Sequence, residues 1–160
     1  MYKNRKAFTM MELIFVIVII GILSAIAIPK FAATRDDAVI AKTKATISSI
    51  RSAIASERQK RTLRGIFTPF VSLGGTAGTN QVLFDFFDNV VDGTGSRILE
   101  YGPRSCASPT STGCWNKVNN TTYTYTMPAS NNVITFTFDL RSRFDCDADA
   151  NTRECQLLTE

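Results

Sequence analysis

The sequence predicts an α+β fold: one long N-terminal helix, membrane-spanning in its first half, packed on a small antiparallel β-sheet. Three observations predict it. Residues 8–29, FTMMELIFVIVIIGILSAIAIP, are apolar with one charge, Glu12. Residues 30–62 continue as an amphipathic, alanine-rich run, and glycine is absent from residues 22–64. Near the other end, TTYTYTM (residues 121–127) and VITFTFDL (residues 133–140) alternate β-branched or aromatic residues with small polar ones, the period-2 pattern of half-buried strands.

The first seven residues, MYKNRKA, form a short basic leader. The apolar run after them has about the ~20 residues a membrane-spanning helix needs. By the positive-inside tendency the basic flank stays cytoplasmic and the C-terminal bulk is exported. Beyond residue 30, Ile40, Ile47, Ile50 and Ile54 fall on one helical face, and Arg35, Asp36, Lys42, Lys44, Arg51 and Arg58 fill the others. Only Pro29 interrupts the run, and it is expected to kink or loosen the helix. A helix over residues 8–61 would be roughly 80 Å long. A domain of this size cannot cover such a rod, so half of it is expected in a lipid bilayer or among other subunits.

Residues 63–160 read as a small head. LGGTAGTN (residues 73–80) reads as a flexible loop and residues 81–92 as a short helix, packing through Leu83, Phe84, Phe87, Val90 and Val91. Residues 105–113 form a loop, and the two strands follow, joined by residues 128–132. A third strand is expected at residues 155–158. The four cysteines, Cys106, Cys114, Cys146 and Cys155, form two local pairs behind a membrane-targeting segment. That pattern reads as disulfides in an oxidising compartment. Of three possible connectivities, the short loops favour Cys106–Cys114 and Cys146–Cys155. A zinc site is disfavoured, because the chain has no histidine and neither pair has CxxC spacing.

Glu12 is the one charge in an apolar helix, which is costly unless it has a partner or a task. If the chain is cut after Ala7, Phe8 becomes the first residue. Its α-amine could then neutralise Glu12 of a neighbouring copy and set the axial stagger between subunits. The segment KAFTMMELIFVIVIIGILSAIAIPKF resembles the processing site and N-terminal helix of type IV prepilins and type II secretion pseudopilins. In that family a membrane-bound prepilin peptidase removes a short basic leader and methylates the new N-terminus, usually phenylalanine. The resemblance places cleavage between Ala7 and Phe8, N-methylation on Phe8 and the assembly carboxylate on Glu12. It also makes Gly21 and Pro29 the helix-breaking positions. Alanine at position 7 departs from the family's usual glycine by the smallest possible step, so slower processing is the most it is expected to cause. The likeness covers about the first fifty residues.

The exported part carries weaker signals. Asp145, Asp147, Asp149 and Asn151 recur at every second position, a spacing that oxygen ligands of Ca²⁺ can use. The EF-hand pattern is incomplete, with Ala150 in place of glycine and Gln156 in place of the bidentate glutamate. The plain alternative is a solvated acidic turn between Cys146 and Cys155. The phenylalanines 84, 86 and 87 read as packing residues, and Trp115 reads as packing against the disulfide or capping the sheet, with surface adhesion as the alternative. Asn119 and Asn120 each start an N-x-T sequon. Lys60, Arg61 and Arg64 read as a solvated helix end, with DNA contact as the alternative. The formal charge is +4, but Lys3, Arg5 and Lys6 lie in the leader, leaving 15 basic against 14 acidic side chains. A broadly basic nucleic-acid surface is therefore not implied.

Without histidine, a GxSxG motif or a phosphate loop, the chain offers little to catalysis. The expected organisation is a leader at 1–7, a transmembrane or filament-core helix at 8–29, its amphipathic continuation at 30–62 and a disulfide-closed head at 63–160. The expected function is a structural subunit of a type IV pilus or type II secretion pseudopilus. Its partners would be prepilin peptidase, the inner membrane and homologous subunits, with no cofactor required. The alternative is a binding domain, secreted by cleavage after Ala27 or held as a membrane anchor, and using calcium at the Asp145 turn.

Overall fold

The computed structural model of the chain describes residues 8–90, 95–139, 141 and 143–160; the expected leader, Ala7 included, lies outside the described residues. Helix α1 spans Met10–Leu63. Strands β1 to β4 span Cys114–Lys117, Thr122–Thr126, Val133–Phe138 and Phe144–Cys146, and helix α2 spans Ala148–Thr159. The fold is α+β. It divides into two units, Met1–Asp37 and Ala38–Glu160. The first is helical through Gly21 and Pro29 without interruption, although proline supplies no N–H to the helix ladder.

The second unit is built on an antiparallel meander in the order β1-β2-β3-β4. Its register places Trp115 opposite Tyr125, Tyr125 opposite Ile134, Tyr123 opposite Phe136, and Phe138 opposite Phe144. All seven side chains are buried, so one sheet face is a continuous apolar layer. The α1 face carrying Ile47, Ile50 and Ile54 joins it in one core, with Ile40 packed at the edge. Trp115 sits inside that core, its ring 5.1 Å from those of Tyr125 and Phe136. Polar clamps fix the helix to the sheet. The Tyr125 hydroxyl bonds Thr43 at 2.9 Å, and Arg51 donates to the Phe144 carbonyl and to Asp145, both at 3.0 Å.

Helix α1 ends where glycine returns. Gly65 adopts φ +76°, and the Ile66 amide reaches back to the Arg61 carbonyl at 2.9 Å, a left-handed C-terminal cap. The basic helix end is less solvated than the sequence suggests at Arg61. Its guanidinium bridges Glu57 at 3.2 Å and Asp88 at 2.8 Å and lies over the Phe70 ring. Glu57 is itself buried, and its Oε2 has no hydrogen-bond partner among the described residues.

Several expectations are corrected. Residues 81–90, the described part of the expected 81–92 helix, do not form it. Val82 and Phe86 make isolated bridges to Arg104 and Arg97, and only Phe87–Asn89 winds into a 3₁₀ turn. Phe84 and Asp88 have φ near +57°, outside any right-handed helix. The carboxylates explain the outcome. Asp85 accepts from the amides of Gly75 and Phe86, and Asp88 from that of Val71, so they serve loop donors instead of a helix. Residues 91 and 92 lie outside the described residues.

The glycine-rich stretch 73–80 is held firmly at its start. Leu73 is fully buried, and a Cβ at Gly74 would run into the Asp85 carboxylate and the Phe86 carbonyl. The Lys117 ammonium and the Tyr123 hydroxyl both bond the Gly74 carbonyl. The third strand expected at residues 155–158 is part of α2. Cys155 and Leu158, three apart, are buried while Leu157 is exposed, which is helical spacing. The disulfides are Cys106–Cys114 and Cys146–Cys155; the second ties α2 to β4.

The buried phenols make stability pH-dependent. Burial raises Tyr123 and, less strongly, Tyr125 above the ordinary tyrosine range. A raised folded-state value means the fold favours the protonated phenol. That contribution is intact below about pH 10 and is lost as pH climbs toward the folded-state value. Lys117, lowered by burial against the pull of Asp85, works in the opposite sense. Two phenols against one amine leave a net loss. The urea midpoint is expected to fall above about pH 10. Tyr125→Phe should weaken that fall and, by removing the Thr43 bond, cost about 1 kcal/mol at neutral pH. A flat alkaline profile would contradict the burial of these phenols.

Candidate functional site

The first unit offers the surface that most demands an explanation. Met10–Ile28 is a helical run long and apolar enough to cross a membrane, by length and composition, and none of it is buried by its own chain. Phe8 is 78% exposed, Phe15 67% and Ile26 66%. A soluble monomer rarely presents more than a few hundred Å² of contiguous apolar surface. The residues point outward all round the helix, not along one stripe, so the surroundings have to be apolar on every side.

Glu12 sits in the first turn of this helix. Thr9 precedes the helix and caps it. The Thr9 amide and hydroxyl both donate to Glu12 Oε2 at 3.0 Å, and the Glu12 amide donates back to the Thr9 hydroxyl at 3.2 Å. This reciprocal arrangement is a capping box, and it satisfies amide donors that would otherwise be orphaned at a helix start. Both of these donors use Oε2, and Glu12 remains exposed at the helix start. The signal was present in the sequence as T-x-x-E, but the apolar context directs attention to Glu12 alone.

The other expected site residues are distributed as follows. Gly21 lies within α1, where an added Cβ would meet nothing within 4 Å. Its own chain gives no packing reason for glycine. Pro29 lies further along the same helix. Among the metal candidates, Asp145 is on β4 and pairs with Arg51 at 3.0 Å and with Arg143 at 4.0 Å. Asp147 follows directly, its amide bonded to the Thr135 carbonyl. The side chains of Asp149 and Asn151, within α2, lie outside the described residues. Among the described residues no three acidic, cysteine or histidine side chains gather as a metal site. Asn119 turns the chain between β1 and β2, accepting from the Thr121 and Thr122 amides.

Comparison with known proteins agrees with this geometry. Residues 2–28 match the family model described as the prokaryotic N-terminal methylation motif. The chain is 54% identical over 52 residues to the type IV narrow pilus major component PilA5 of Thermus thermophilus. That match covers 32% of this chain and 45% of the relative, so it spans less than half of that protein's length. No solved structure matches the chain.

The capping box has a measurable consequence. Thr9→Ala removes the hydroxyl from both of its bonds and is expected to cost about 1 kcal/mol at the start of α1. In detergent micelles, amide hydrogen exchange at residues 10–13 should quicken about fivefold for that loss. Unchanged exchange would show that the box does not hold the helix start.

Proposed function

We propose that the chain is the precursor of a type IV pilus subunit, cut between Ala7 and Phe8, methylated on Phe8 and assembled through α1. One observation carries the reading. A membrane-length helix, Met10–Ile28, is entirely uncovered by its own chain and lies within a methylation-motif segment. Before assembly, lipid would solvate residues 8–29, with the basic leader at the cytoplasmic face of the inner membrane and residues 63–160 in the periplasm. In the filament, the same side chains would pack against α1 of neighbouring copies. The role is structural, with no cofactor and no catalytic step. The name of the Thermus relative favours a pilus over a secretion pseudopilus.

In this reading Glu12 has two tasks. Its Oε2 stays in the capping box, while its free capacity accepts the α-amine of Phe8 from an adjacent copy. Such a pair would gain most when sealed from water between packed helices. Gly21, with open space around it, would allow a neighbouring helix close approach. Gly21 and Pro29 are the positions where α1 would loosen if the filament requires it.

Mass spectrometry of the mature protein tests the processing step. The expected N-terminus is N-methylphenylalanine at residue 8; a mature chain starting at Ile28 would instead show ordinary signal cleavage and sink the reading. The assembly step is tested by Glu12→Gln, which keeps the shape but not the charge. Membrane insertion should be unaffected. Incorporation into sheared filaments should fall by about tenfold or more, the scale of a lost charge-assisted pair. Normal incorporation would remove Glu12 from the mechanism.

A further inference from the structure

Where α1 ends, the second unit carries apolar surface and charge that its fold does not use. Every residue from 62 to 69 is exposed, and Leu63 and Phe67 are 82% and 81% exposed. Ile66 and Phe67 border a shallow depression of about 180 Å³ that Arg58, Arg61 and Thr68 also line. The Arg64 amide still bonds the Lys60 carbonyl at 3.2 Å, so Lys60, Leu63 and Arg64 are neighbours on one helical turn. Residues 58–84 contain no aspartate or glutamate. Two acids that do reach this end are neutralised from within: Glu57 is buried, and Arg61 pairs with both Glu57 and Asp88. Arg58 gives one of its five guanidinium donors to the Arg141 carbonyl, and Arg141 is itself exposed. The result is an apolar protrusion ringed by cations.

We propose that this protrusion docks on an anionic bilayer surface. Leu63, Ile66 and Phe67 enter the headgroup layer, and Arg58, Lys60 and Arg64 meet the lipid phosphates. Two features select lipid as the partner. A bilayer takes up a protruding apolar group without a preformed pocket, and its anionic headgroups supply the countercharge. Single-stranded nucleic acid matches the charge but not the apolar part, because of the three side chains only Phe67 has a face on which a base can stack. The protrusion also stands on a firm base. Arg61 lies over the Phe70 ring, and Phe70 packs on Phe87 and Phe138 in the core, so little ordering is left for docking to impose. The surface lies wholly within the second unit and requires neither cleavage before Phe8 nor assembly.

Photo-crosslinking tests this on the full chain held in phosphatidylcholine nanodiscs, with a benzophenone amino acid in place of Phe67. Vesicles of equal parts phosphatidylcholine and phosphatidylglycerol are added before irradiation. The expected product is a phosphatidylglycerol adduct at residue 67. Adducts to another copy of the chain, or none to phosphatidylglycerol, would overturn the proposal. So would a single-stranded oligonucleotide that cross-links at residue 67 where the vesicles do not. Cosedimentation supplies a second measurement. Loaded discs should sediment with the anionic vesicles and not with pure phosphatidylcholine vesicles. The double variant Lys60→Gln, Arg64→Gln should weaken this about thirtyfold, at about fivefold per charge, and Leu63→Ser about tenfold. These positions are exposed, so the thermal midpoints of the variants should match the wild type. Sedimentation that these substitutions leave unchanged would show that the discs reach the vesicles by another route and would remove the docking surface.

Discussion

Burial has to be found for the side chains of Met10–Ile28, and none of it comes from the chain itself. Water penalises apolar surface at roughly 25 cal/mol per Å², and a helix exposed on all sides has no face to turn away. That single constraint orders the rest of the molecule. It requires an apolar environment outside the chain. It also separates two kinds of apolar residue along α1, since those before Asp37 have no core of their own and those after it share one with the sheet. Either a bilayer or a bundle of like helices would meet the first requirement, so the proposed function asks one segment to use both in turn.

The second half of α1 has a different task. Ile47, Ile50 and Ile54 are almost completely buried, and the aromatic layer of Trp115, Tyr123, Tyr125, Phe136 and Phe144 closes over them. Hydrophobic contact alone would permit the helix to slide or rotate on the sheet. Directional bonds remove that freedom: Thr43 to Tyr125, Arg51 to Phe144 and Asp145, and Arg58 to the carbonyl of Arg141. At the far end, Arg61 gathers Glu57, Asp88 and Phe70 around one guanidinium. The sheet and its loops are thus fixed to α1 at points spread from Thr43 to Arg61.

The parts of this fold that were legible in the sequence are those with a long repeating pattern. The isoleucines of α1 keep their spacing over four turns, and β2 and β3 alternate cleanly, with Tyr123, Tyr125, Ile134 and Phe136 inward. Strands β1 and β4 are too short to show a period; CWNK buries Trp115 alone. The apolar run of α2 is equally brief, and Leu157 beside Leu158 suggests a strand until burial shows which one faces the core. Residues 81–92 misled for another reason. Their apolar spacing is helical, but Asp85 and Asp88 are claimed by amides of the preceding loop, a competition between distant segments that no local pattern records. At the candidate site the apolar run and Glu12 stood out at once, whereas Thr9 did not, because a threonine among hydrophobic residues carries no charge to draw attention.

The capping box also bears on how processing and assembly would be linked. A carboxylate has room for about four hydrogen bonds, and Thr9 donates two of them to a single oxygen. Glu12 is therefore oriented without being exhausted. In the proposed precursor the nitrogen of Phe8 is a peptide amide, neutral and joined to a basic leader that the positive-inside tendency would keep at the cytoplasmic face. Cleavage before Phe8 would change both properties in one step, releasing the leader and turning that nitrogen into a cation. The partner that a neighbouring Glu12 requires would thus not exist until the chain is cut, while the acceptor is held ready beforehand by Thr9. On this view the ordering of events needs no separate signal, because uncut copies lack the charge that would lower the cost of placing Glu12 between packed helices.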